Sequence, residues 1–372
     1  GSKSVVWVAL RVPDDAICAH ANQSRIRTFN QKDKQNVMCS KNVVKYAREQ
    51  GWYNGKDADF SFCETYAKPD FSGRRFCEAR VWTFFNMYSD DMAQYVDYAA
   101  GKVADAKPMP LWIVPKRKLS VHDMEMAMRD HYEGTPFALD SDIGGGIWEM
   151  PYRPTPLQFK VDGKTYFNER PVSTQQSGFV YVSQMRSWLP REVGGILWFG
   201  NDDANMVAFT PVYCCTSVAP LPYNTPGADN ITFSMDNAFW VCNWVSNMVY
   251  PRYSQMFGSL QTVRDSLDNS YFAAQAEVEA KALELSKTDR QAAVDYLSKY
   301  TSDKADQMLD TWKNLATYLI VKYNDMVVKE DVNGKFVRDK FGLGKRPSRP
   351  GYPERYAREL IKQTGTKFEV VK

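Results

Sequence analysis

Histidine is the scarcest chemistry-bearing residue here, three in 372, and the seven cysteines at 18, 39, 63, 77, 214, 215 and 242 include no C-x-x-C pair. That spacing argues against a zinc site or a disulfide framework, and several cysteines sit inside apolar segments, as buried free thiols do. Their adjacency at 214 and 215 and their odd number favour a reducing, cytoplasmic compartment slightly, with a periplasmic or secreted protein carrying buried thiols as the open alternative. Long apolar runs are missing too. "VVWVAL" and "FVYV" fall far short of the roughly 20 residues that cross a bilayer, so no membrane span is expected. Also absent are G-x-S-x-G, H-E-x-x-H and G-x-x-x-x-G-K-[ST]; "DIGGGIW" lacks the lysine and preceding strand that a phosphate loop requires, and reads as a turn at Gly144–Gly146. No cofactor or metal ion is implied.

What is present is a globular composition, 44% apolar and 14% aromatic. The net charge of +3 is unevenly spread. Residues 335–372 carry 11 Lys or Arg against 4 Asp or Glu, a balance of +7, which leaves −4 for the rest. The body of the chain is therefore no polyanion binder, and the Pro- and Gly-containing tail is expected to be a surface strap packed by its Tyr and Leu residues rather than a nucleic-acid arm.

Periodicity predicts strands at "VVWVALRV" and "AICAHAN", joined by a Pro13-Asp14-Asp15 turn in a hairpin, then helices at "KNVVKYAREQG", "RFCEARVWTFFNMYSD" and "SVHDMEMAMRDHYEG". Strands return at "GFVYVSQM", "GGILWFG" and "MVAFTPVYCC", and from Asp236 the pattern is helical for about ninety residues. The expected class is α+β, divided as a strand-rich part over 1–235, a helical layer over 236–330 and the basic tail over 331–372. Asp123 with Asp130, and His122 with His131, lie seven and nine apart and are expected on a helix surface. The polar residues of "STQQSGFVYVSQMR" are read as a network supporting the sheet.

Five segments carry a resemblance: "WVALRVPDDAICAHANQSRI", "GRRFCEARVW", "MRDHYEGTPF", "NERPVSTQQSGFVYVSQMRSWLP" and "GGILWFGNDD". In this order they resemble the dipeptidase family of N-terminal-nucleophile hydrolases, the dipeptidase A type of cysteine peptidase. The resemblance implies a four-layer αββα sandwich and hydrolysis of a dipeptide or small amide substrate. It also implies a nucleophilic cysteine at a mature N-terminus whose own α-amine serves as base. Residue 1 here is Gly and Cys18 is internal, so the nucleophile is expected in a region outside this chain; that N-terminal segment becomes the expected partner, with a homo-oligomer as a further one.

Family likeness also assigns roles. Asn22 in "HANQ" matches the oxyanion donor, where a rigid neutral N–H meets charge that develops only in the transition state. Arg75 matches an arginine that could hold the substrate carboxylate in a bidentate fork, with Arg80 as the weaker match. The alternatives are a core amide at Asn22 and an ordinary ion pair at Arg75; His20 and Gln23 are read as scaffold. For the whole, the competing classes are an enzyme, inert in this chain alone, and a binding or scaffold module without the nucleophile; an acyl-amino-acid amidase is the neighbouring specificity.

Overall fold

The computed structural model describes residues 5–371 and divides the chain into two compact units, 1–120 with 157–171, and 121–156 with 172–372.

The first unit is built from short strands around helices. Strands β1 (Val8–Leu10) and β3 (Val37–Cys39) pair antiparallel, as do β2 (Ile17–Cys18) and β4 (Trp112–Ile113). The expected hairpin across Pro13 is therefore not formed: the residues turn at Asp14–Asp15, yet each flanking strand takes a distant partner. Helices α1 (Val43–Glu49) and α2 (Phe62–Tyr66) follow. Val43, Val44, Ala47 and Phe60 form a small core there. A π-helical turn, Gly73–Glu78, runs directly into α3 (Ala79–Asn86), then α4 (Val96–Ala100). α3 buries Ala79, Val81, Trp82 and Phe85, and the Trp82 indole donates to the Met92 carbonyl at 2.8 Å. A hairpin of β5 (Gln158–Val161) and β6 (Lys164–Phe167) completes the unit.

The second unit begins with α5 (Val121–Met128), which stops short of the expected end at Gly134. Its centre is an antiparallel sheet of β7 (Phe179–Met185), β8 (Gly195–Asn201) and β9 (Thr210–Tyr213), with the short helix α6 (Arg191–Gly194) between β7 and β8. Strand alternation sends Val180, Val182, Ile196, Trp198 and Tyr213 inward, where they join the core formed with α7 (Ala238–Val249), α8 (Tyr253–Ser286) and α9 (Arg290–Tyr323). Trp198 lies 4.7 Å from Phe272 of α8, centroid to centroid. α8 and α9, each 34 residues and so about 50 Å long, form an antiparallel hairpin; Asp289 caps α9 by accepting from the N–H groups of Gln291 and Ala292. The other sheet face exposes Phe179, Tyr181 and Met185. Among the described residues, no helix is long and apolar enough to cross a membrane.

The basic tail holds a small hairpin, β10 (Asp331–Val332) with β11 (Lys335–Phe336), and α10 (Glu354–Thr364), which buries no residue fully. Leu343 and Tyr352 are exposed, so the packing expected of the tail's Tyr and Leu residues is confined to half-buried Tyr356 and Leu360.

Beneath the sheet unit lies a charged cluster. Arg129 donates to Asp268 at 2.6 Å and to the carbonyls of Ala204 and Val207. Glu125, one turn earlier on α5, is fully buried, and among the described residues neither carboxyl oxygen has a hydrogen-bond partner. Burial, reinforced by Asp268 and opposed by Arg129 and Arg264, pushes its pKa up to about 9. The folded state therefore holds a proton that the unfolded chain releases near pH 4.5, and stability falls as pH rises from there toward 9. Glu125→Gln keeps the neutral shape and removes the titration. In denaturant unfolding the wild type should lose stability relative to this variant between about pH 5 and 9; parallel curves would show that Glu125 does not titrate in that window.

Candidate active site

The first unit gathers the sequence-assigned residues around one irregular loop and one π-helical turn. After β2 the chain bends through residues 21–23, and Asn22 adopts a left-handed backbone, φ 57°. Asparagine tolerates that region better than most side chains, so the conformation itself selects the residue type. Asn22 is exposed in this chain.

The loop is anchored from below by Arg25. Its buried guanidinium donates to Glu78 Oε1 at 2.9 Å, to the carbonyls of Pro110 and Leu111 at 2.8 and 3.0 Å, and to that of Ala19 at 3.3 Å. Gln23 ties the loop sideways to the carbonyls of Ser24 and Ala67. Gly73 opens the π-helical turn against Gln23, whose Oε1 would lie 2.6 Å from a Cβ at this position and would have to swing aside for any larger residue. His20 has its pKa lowered by burial and by Arg25, so the ring is neutral at pH 7. Gln23 thus ties the loop to its neighbours, while His20 is exposed beside it.

The turn carries Arg75, Cys77 and Glu78, and Arg80 follows on α3. Arg80 reaches back: Nε donates to the Phe76 carbonyl at 2.7 Å and Nη2 to Asn22 Oδ1 at 3.0 Å. Arg75 instead meets Glu169, both side chains about 15% exposed. The structure therefore brings Asn22 and Arg80 into contact and gives Arg75 a carboxylate partner within the protein. Among the described residues, Asn22 Nδ2 donates to no protein acceptor, so this amide is available to an incoming oxygen. Burial raises the Cys77 thiol pKa, with Arg80 and Arg170 opposing, so it is protonated at neutral pH and a poor nucleophile. The cluster can donate hydrogen bonds to developing negative charge, but it contains no activated attacking group.

The model of peptidase family C69 matches residues 3–266. The chain belongs to peptidase family C69. It is 26% identical over 213 residues to a probable dipeptidase of Salmonella dublin, covering 56% of this chain and 42% of that protein. It is 22% identical over 255 residues to dipeptidase A of Lactobacillus helveticus, covering 68% and 47%, and 21% identical over 314 residues to a probable dipeptidase A of Streptococcus pyogenes serotype M3, covering 82% and 60%. This C69 chain spans about half the length of the curated relatives it matches.

A second polar centre of this C69 chain, in the other unit, was not expected from sequence. Asp203 accepts from Ser173 and from the Tyr250 hydroxyl; Tyr250 in turn meets His131 Nε2 at 3.1 Å, and His131 Nδ1 meets Glu133 at 3.1 Å. His131 and Asp130, expected on a helix surface, are buried. The reason is that α5 ends at Met128, and Tyr132 with φ 67° turns the chain inward. Next to it, Asp202 with φ 79° is fully buried and accepts from Asn243 and Ser246. Burial pushes its pKa up to about 7. The legible signal was the acid pair in "GNDDAN" directly after an apolar strand, where carboxylates must find internal donors.

Arg25 and Glu78 form a charge pair with side chains 3% and 4% exposed. Arg25→Met should strand a buried carboxylate and cost about 3–5 kcal/mol, while Arg25→Met with Glu78→Leu should recover much of it. Chemical denaturation of the four members of this cycle measures the coupling; additive losses would show that the pair does not act as a unit.

Proposed function

We propose that this chain is a C-terminal part of a cysteine dipeptidase that cleaves dipeptide amide bonds with an N-terminal cysteine supplied by a region outside these 372 residues. The C69 relatives of Salmonella dublin and Lactobacillus helveticus are named dipeptidases, which supports the substrate class. The observation that carries the reading is Asn22, an exposed amide in a left-handed turn, held by Arg80 through its oxygen with its N–H groups unspent. In this role the cysteine sulfur bonds to the scissile carbonyl carbon, its proton passes to the α-amine, and Asn22 Nδ2 donates to the oxygen as it becomes an oxyanion. The C–N bond then breaks, the amine leaves with the transferred proton, and water hydrolyses the thioester. Arg75 would take the substrate carboxylate by exchanging it for Glu169.

The Ntn-type sandwich belongs to the same proposal. A helical layer of α7, α8 and α9 backs the sheet of β7, β8 and β9, and that sheet's other face is apolar and exposed. A helix layer followed by a sheet whose second face seeks an apolar cover is the order of half an αββα arrangement.

Purified alone, the chain should leave Ala-Ala and Leu-Gly intact, and activity should appear when the segment bearing the nucleophile is supplied. Turnover by the isolated 372-residue chain would overturn the placement of the nucleophile. In the complete enzyme, Asn22→Gly suits the left-handed backbone, whereas Leu would strain it by about 1–2 kcal/mol. The glycine variant should lower kcat by roughly 10²- to 10³-fold with KM much less affected. An unchanged kcat per folded molecule would remove Asn22 from the oxyanion site.

A further inference from the structure

A carboxamide is a poor oxyanion donor unless something decides which of its two ends faces the substrate. The Oδ1 and Nδ2 ends are nearly equal in size, and rotation about χ2 is broad and roughly two-fold. An exposed Asn22 left to itself would present its oxygen, a repulsive lone pair, as readily as its N–H. A guanidinium is donor-only, so the end of Asn22 that meets Arg80 must be the oxygen. Arg80 is itself fixed: Nε donates to the Phe76 carbonyl in the π-helical turn, and Nη2 approaches both Asn22 Oδ1 at 3.0 Å and the Ala21 carbonyl at 3.4 Å. One planar group thus links the π-helical turn to the loop at residues 21 and 22.

We infer that Arg80 is a positioning residue: its guanidinium fixes the polarity of the Asn22 carboxamide, so that Nδ2 rather than Oδ1 is presented to the substrate oxygen. The inference rests on the oxyanion role proposed for Asn22, but the geometric part is independent of it. It also changes the role of Arg80 from a substrate-carboxylate ligand to a group that acts through Asn22, and it gives the π-helical turn a task. The turn places a carbonyl where Arg80 Nε can dock while Nη2 spans to the loop. Lysine is donor-only as well, but its ammonium on a flexible stem lacks the planar fork that docks on one carbonyl while spanning to the loop, so it holds the amide far less firmly.

Two measurements separate the parts. The first uses the chain as it stands: side-chain ¹⁵N relaxation of the Asn22 NδH₂ group. In the wild type the amide should be ordered, with an order parameter near the rigid value of about 0.85, falling below about 0.6 in both Arg80→Ala and Arg80→Lys. The lysine variant keeps the charge and guards against a folding defect. An amide equally ordered without the guanidinium, or already disordered with it, would overturn the inference whatever the enzyme does. The second uses the complete enzyme. Arg80→Ala should lower kcat roughly 10- to 100-fold, less than loss of the donor itself, with little change in KM. Combined with Asn22→Gly it should cost nothing further, because a polarity-fixing group has no task once the amide is gone. Fully additive losses would assign Arg80 a separate role; an ordered Asn22 amide in an enzyme indifferent to Asn22→Gly would retain the geometry and reject only the oxyanion reading.

Discussion

The candidate site depends on one buried cation. Arg25 donates to Glu78 in the π-helical turn, to two carbonyls beside β4 and to one at the start of the bent loop. A buried charge is tolerated only when its donors are spent, and here the spending is what assembles the site. The acceptors lie on three separate stretches of the first unit, so satisfying the guanidinium fixes where the loop at Asn22 stands relative to the turn before α3. Burial raises the pKa of Glu78 while Arg25 opposes the shift, so each member of the pair is sustained by the other.

The second unit meets the same constraint with different chemistry. Asp202 and Asp203 follow an apolar strand into the interior, and each is met by hydroxyl or amide donors rather than by a cation. The result is a polar centre next to a core of Val, Trp and Leu residues, linked through Tyr250 and His131 to Glu133. Such a network specifies one arrangement of α7, α8 and the loop after α5, because any shift would leave a buried donor or acceptor unmet.

Long periodic segments were legible from sequence. The alternation in "GFVYVSQM" and "GGILWFG" and the helical repeat after Asp236 appear as β7, β8 and α7 to α9, since amphipathic period and burial are the same fact. Pairing was not legible: the Pro13-Asp14-Asp15 turn has hairpin chemistry, but β1 and β2 find partners far along the chain, which only long-range packing decides. Likewise, the inward turn at Tyr132 depends on a single positive φ and left His131 looking like a surface residue. At the site, likeness to the dipeptidase family singled out Asn22, Arg75 and Arg80, and geometry distinguished them. A guanidinium reads the same in sequence whether it meets a carboxylate, as Arg75 meets Glu169, or an amide oxygen, as Arg80 meets Asn22.

The central claim is that the Asn22 amide bonds an oxygen more strongly when that oxygen carries charge. Its most direct test is affinity for a dipeptide aldehyde, which forms a tetrahedral adduct with a catalytic thiol, compared with affinity for a non-reacting dipeptide of the same side chains, each measured on the complete enzyme and on its Asn22→Gly variant. The account predicts that the aldehyde loses roughly 10²- to 10³-fold in affinity while the dipeptide changes little. Equal losses for both ligands, or no loss for either, would contradict it.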